Sequence, residues 1–182
     1  MKILFSFVFL FIIGGHLVAQ KVYTKNGNIA FFSKTAIEDI DATNNQVMSV
    51  LNMQTGDLQF SVLIKAFHFK KALMEEHFNE NYMESNKFPK ATFKGIVKDI
   101  SAVNFSEEGT YNVTVTGDMT IHGITNKLSV PGTIRIKGGM PVATSKFAIK
   151  LKDYRVGVPK IVKNNISERI DISVNLAYDQ KM

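Results

Sequence analysis

From residue 111 onward the chain alternates apolar and polar side chains with a period of two, and this pattern narrows the possible folds more than any other feature. Tyr111, Val113, Val115, Met119 and Ile121 fall on one face, opposite Asn112, Thr114, Thr116, Asp118, Thr120 and His122. Leu128, Val130, Ile134 and Ile136 repeat the arrangement against Lys127, Ser129, Thr133, Arg135 and Lys137. Phe147, Ile149 and Leu151 then alternate with lysines, and Ile170, Ile172, Val174, Leu176 and Tyr178 with Asp171, Ser173 and Asn175. Successive side chains of a strand point to opposite faces, so these four segments read as antiparallel strands with one face buried and one solvated. The sequence from His122-Gly123 to Thr125-Asn126 reads as the turn of a hairpin between the first two.

The first half is less regular. Strands are expected over residues 28–33, 46–53, 57–69 and 91–100. The third is apolar on both faces, with Phe60, Val62, Ile64 and Ala66 alternating with Leu63, Phe67 and Phe69, so it must be covered on both sides. Residues 71–85 supply the obvious cover, because Met74, Phe78 and Tyr82 recur at helical spacing beside Leu73 while Glu75, Glu76, Asn79 and Glu80 face water. Phe88-Pro89 ends that segment. A second irregular excursion is expected between Asp153 and Ser167, where Gly157, Pro159 and Asn164-Asn165 interrupt the strand pattern.

About eight strands and one helix, without βαβ alternation, define an all-β chain. The pattern allows either a closed barrel, which removes exposed edges, or a two-sheet sandwich.

At the N-terminus, Lys2 precedes an apolar run over residues 3–13 and the small-residue end Leu17-Val18-Ala19. This reads as a cleaved signal peptide over residues 1–19, too short to span a bilayer. The remainder, residues 20–182, fits one domain. The sequence has no cysteine, which removes disulfides, thiol nucleophiles and a lipid-modified N-terminal cysteine together. A net charge of +6 would suit an anionic membrane surface or nucleic acid, but export argues against nucleic acid. The lysines are scattered, as expected of a solubilising surface.

No serine sits in a Gly-x-Ser-x-Gly elbow, and Glu75-Glu76-His77 lacks the two-histidine spacing of a zinc helix. A metal site joining His77, His122 and a carboxylate is the remaining catalytic alternative; the plainer reading of His122 is a turn residue. The chain is therefore expected to be a binding protein rather than an enzyme, with no cofactor.

Several stretches resemble the YceI-like family of exported lipid-binding proteins. They are residues 117–125 running on to Leu128-Ser129-Val130-Pro131; His77-Phe78-Asn79 through Tyr82-Met83 and residues 87–93; and Phe147-Ala148-Ile149 followed by Tyr154, Val156, Gly157, Val158 and Pro159. The resemblance implies an extended, lipocalin-like antiparallel β-barrel whose elongated apolar cavity holds a polyisoprenoid or another long-chain amphiphilic lipid, in the periplasm, with secretion as the alternative destination. One departure is residues 37–43, which replace the family's usual early segment and are expected to shape the cavity mouth. Taking the inward face from the alternation, the expected lining is Phe60, Val62, Ile64, Phe93, Val113, Val115, Met119, Ile134, Phe147, Ile149, Ile172 and Val174. Met48 and Met53 are further candidates, since thioethers adapt to flexible chains. The competing class is an envelope interaction protein with a filled barrel and a cationic docking surface; cavity volume separates the two.

Overall fold

The computed structural model describes residues 21–182, so the expected signal segment lies outside the described residues. Eight strands close into an antiparallel barrel: β1 (Lys21–Lys34), β2 (Asp39–Asn52), β3 (Asp57–Leu63), β5 (Lys90–Val97), β6 (Gly109–Ile121), β7 (Ile124–Lys137), β8 (Met140–Lys150) and β9 (Arg169–Ala177). Each pairs with the next around the ring, and β1 pairs with β9 over residues 28–32 to complete it. Two short strands, β4 (His68–Phe69) and β10 (Gln180–Lys181), extend the edges of β2 and β1. The barrel, not the sandwich, is the fold, and closure leaves no long unpaired edge.

The second half follows the alternation closely. The β6–β7 hairpin differs in one detail: its turn is His122-Gly123 alone, both at positive φ (51° and 74°), while Thr125 and Asn126 already belong to β7. A two-residue turn of that backbone shape matches the twist of the strands it joins.

The first half departs further. β1 begins at Lys21, well before the expected start, because a register shift near Gly27 breaks the alternation that would have revealed it. β2 likewise begins at Asp39, inside the segment where the family pattern is lost. The expected strand over 57–69 is interrupted by a 3₁₀ turn at Ile64–Ala66. This turn shifts the phase, so Phe67 and Phe69 point into the barrel like Phe60 and Val62 instead of away from it. The covering helix therefore closes the end of the barrel and does not cover the outer face of β3, where Leu63 stays exposed. It consists of α1 (Ala72–His77) continued by a wider π-type turn at Phe78–Tyr82.

The lumen is packed at one end and hollow at the other. Val22, Leu51, Leu58, Val97, Ile134 and Leu176 fill the packed end, each 5% exposed or less. Burying a side chain of this size stabilises by about 1.5–3 kcal/mol. Tyr178 is buried among them, its hydroxyl 2.9 Å from Ser49 Oγ, which itself donates to the Gln59 carbonyl. The paired hydroxyls satisfy groups that would be costly if left bare in the core.

Candidate ligand cavity

A cavity of about 260 Å³ occupies the hollow end. Its walls come from the inward face of the strands: Phe60, Val62, Ile64, Met119, Phe147, Ile149, Ile172 and Val174 all line it. A second space of about 50 Å³ lies deeper and is lined by Phe93, Val113, Val115 and Ile134, with Phe60, Met119, Phe147 and Val174 bordering both. Each of the twelve residues expected to face inward thus lines at least one of the two spaces. Alternation gives this result wherever the outer face is polar.

Two stacked rings stand where the chambers meet, Phe60 bordering both and Phe93 the deeper one. Phe60 and Phe93 lie with centroids 5.2 Å apart and planes 17° from parallel. Phe93 lies over Gly95 and Gly117, register partners on β5 and β6 with no side chain to lift the ring away.

Above the larger chamber four phenylalanines form a cluster: Phe31, Phe67, Phe69 and Phe78, with neighbouring centroids 5.0–5.7 Å apart. None of the four is among the residues that alternation places in the lining, although the spacing of Met74, Phe78 and Tyr82 marks the helical face that meets the cavity. The methionine candidates do not join it. Met48 is on the outer face of β2 and 55% exposed, because the register shift in β1 and β2 places Val47 and Ser49 inward; Met53 packs beside the core but borders neither chamber. Of the helix residues expected to face water, Glu75 instead accepts from the Phe69 amide (3.2 Å), and Asn79 folds back onto the Glu75 carbonyl (2.9 Å).

Polar groups gather at the mouth. Ser33, Glu38, His77, Tyr82, Tyr154 and Asn165 border the larger chamber, whose walls are otherwise aliphatic and aromatic. Glu38, in the turn between β1 and β2, accepts from Lys71 Nζ at 2.9 Å and from Asn165 Nδ2 at 3.4 Å. One carboxylate therefore joins three segments that surround the mouth: the β1–β2 turn, the start of α1 and the loop before β9. These two donors hold its pKa below the usual carboxylate value, the Lys71 hydrogen bond first. Lys70 adds a 2.8 Å pair with Asp41 on the same side. Burial raises the phenols of Tyr82 and Tyr154, so both are neutral donors at neutral pH.

His122 serves the wall. Its Nε2 lies 3.0 Å from Glu84 Oε1, its ring meets Phe88 edge-on, and its Nδ1 is 3.4 Å from the Tyr154 carbonyl. The His122–Glu84 hydrogen bond, more than Lys87 nearby, lowers the pKa of Glu84. Among the described residues no group of three His, Asp or Glu side chains is placed to hold a metal; His77 borders the chamber, and His122 is paired with Glu84.

A closed antiparallel barrel with a packed base and an apolar chamber opening toward one covered end defines a lipocalin-like class of architecture. More narrowly, the chain belongs to the YceI-like family, since the YceI-like domain model matches residues 19–178. Solved structures share the fold. The chain is similar to a polyisoprenoid binding domain from Saccharophagus degradans implicated in plant cell wall breakdown, with TM-score 0.78 and 13% identity over 89% of this chain and 99% of that one. It is also similar to Burkholderia cenocepacia BcnA, with TM-score 0.68 and 17% identity over 83% of this chain and 95% of that one. The Campylobacter jejuni YCEI protein follows with TM-score 0.59 and 15% identity, over 77% and 85% of the respective chains. No match is found among curated proteins.

Proposed function

We propose that this protein is an exported, non-enzymatic binder that holds the chain of an isoprenoid-like or other long-chain amphiphilic lipid in its barrel and exchanges it with membranes of the periplasm. The observation that carries this reading is the hollow end of the barrel: about 260 Å³ of apolar space with its polar groups confined to the mouth. That volume lies just under the range of about 300–1,000 Å³ usual for small-molecule sites and suits a slender chain. A filled barrel, as an interaction protein would have, offers no such space.

Energetics favour exchange over irreversible capture. A buried methylene is worth roughly 0.8 kcal/mol against water. The competing environment of such a lipid is a bilayer, which is as apolar as the cavity, so the net preference is a small difference between large terms. Selectivity then falls to chamber length and to the polar mouth. The signal pattern of residues 1–19 and the family match support export.

Native mass spectrometry of the purified protein, followed by organic extraction, tests the reading. A stoichiometric prenyl or acyl lipid is expected. A bare protein that also refuses added polyprenyl alcohol, and moves no labelled lipid between vesicles, would overturn it.

A further inference from the structure

Apart from the C-terminal Met182, the three most exposed large apolar side chains among the described residues are Ile161 (92%), Leu73 (61%) and Ile37 (64%). Single exposed apolar residues are ordinary. These three are not scattered, because each sits on a different one of the segments joined at Glu38. Ile37 precedes Glu38 in the β1–β2 turn, Leu73 lies two residues after Lys71, and Ile161 belongs to the loop that carries Asn165. Ile161 is also next to Val162, which lines the chamber. The apolar points thus surround the opening of the apolar cavity.

The charge around them is uneven: the loop that carries Ile161 is cationic, whereas the segment that carries Leu73 holds Glu75, Glu76, Glu80 and Glu84. The loop segment 150–168 carries Lys150, Lys152, Arg155, Lys160 and Lys163 against Asp153 and Glu168. Lys34, at the end of β1, adds another exposed cation. Glu38 and Asp41 are already paired with Lys71 and Lys70, and Glu84 with His122 and Lys87, so the cationic face of this end is the side of the Ile161 loop. A cationic loop tipped by an exposed apolar residue, beside two further apolar points, is what an anionic bilayer recognises: headgroup phosphates attract the lysines, and the apolar side chains enter the acyl boundary.

We propose that the mouth end of the barrel docks on an anionic membrane surface, inserting Ile37, Leu73 and Ile161 so that the cavity opens toward the acyl region. A lipid chain then passes between bilayer and barrel without crossing water. This supplies the route for the exchange inferred above, but docking is measurable without any cavity ligand.

The chain has no tryptophan, so Ile161→Trp places a single indole at the proposed contact. With vesicles of phosphatidylethanolamine and phosphatidylglycerol, its emission should shift to the blue and be quenched by brominated lipid, less strongly as salt is added. Phosphatidylcholine vesicles should give a much weaker response. In flotation assays, Ile37→Ser, Leu73→Ser and Ile161→Ser should each weaken vesicle binding by up to about tenfold and together by far more. Uptake of a polyprenyl alcohol from detergent by the triple variant should be unchanged, which also shows that it folds. The outer-wall pair Met48→Ser and Leu63→Ser should leave flotation intact. Unshifted tryptophan emission, or flotation insensitive to the triple variant, would overturn the docking surface while leaving cavity binding untouched. A concentration-dependent dimer abolished by the triple variant in the absence of vesicles would assign the patch to a second copy of the chain and equally overturn it.

Discussion

Gly95 and Gly117 face each other across β5 and β6 so closely that a Cβ on Gly117 would fall 2.5 Å from the Gly95 Cα. The same Cβ would stand 2.7 Å from the tip of the Phe93 ring. The absence of two side chains lets that ring lie down along the wall, where Phe60 stacks on it at the boundary of the two chambers.

Gly117→Ala should therefore destabilise the barrel by about 1–3 kcal/mol, since both backbone and ring would have to shift. Thermal or urea unfolding measures this directly. An unchanged midpoint would show that β5 and β6 separate freely at this point.

Phe60→Ala should join the two chambers. The loss of a stacked ring from the wall costs about 3 kcal/mol. The variant should favour longer prenyl alcohols than the parent when both are offered a mixture of chain lengths and the bound fraction is extracted. Unaltered length preference would place the limit elsewhere.

The clasp at Glu38 should respond to acid. Its pKa is lowered in the folded protein, so the contribution of the ionised group is present above the ordinary carboxylate value of 4.5 and lost as pH falls through the lowered one. Ligand loss should accelerate below that value, and Glu38→Gln should show the faster loss already at neutral pH. Its melting temperature should scarcely change, because an exposed pair contributes little to global stability. Equal loss rates for the two proteins at neutral pH would show that the clasp does not control release.

Tyr178 gives an alkaline signature. Burial pushes its phenol well above the ordinary value, with the Ser49 hydrogen bond opposing only in part. A raised folded pKa stabilises fully below the unfolded value near 10 and is lost as pH rises beyond it. Absorbance titration should show one of the five tyrosines ionising only with unfolding. Tyr178→Phe should remove that coupled step and cost about 1 kcal/mol at neutral pH through the partner hydroxyl left behind.

How far the sequence foretells the structure depends on whether a strand has a polar outer face. From β6 onward it does, and alternation alone placed Val113, Val115, Met119, Ile134, Phe147, Ile149, Ile172 and Val174 inward. The mouth was less legible. Simple alternation puts Phe67 and Phe69 on the outer face, but three residues of 3₁₀ turn shift the phase within an apolar run, which has no polar side to reveal the slip. At Met48 the irregular register of β1 and β2 hides which neighbour turns in, so its outward position has no signal in the sequence. The Glu38 clasp joins residues more than a hundred positions apart, and no local pattern announces such a meeting.

The turn at Ile64–Ala66 also decides something about how a vessel of this kind can vary. Because the segment that walls the chamber below becomes part of its stopper above, the depth of the vessel is fixed by where one strand is interrupted rather than by how many staves it has. Moving that interruption along the strand would lengthen or shorten the interior while leaving the hoop of eight strands as it stands.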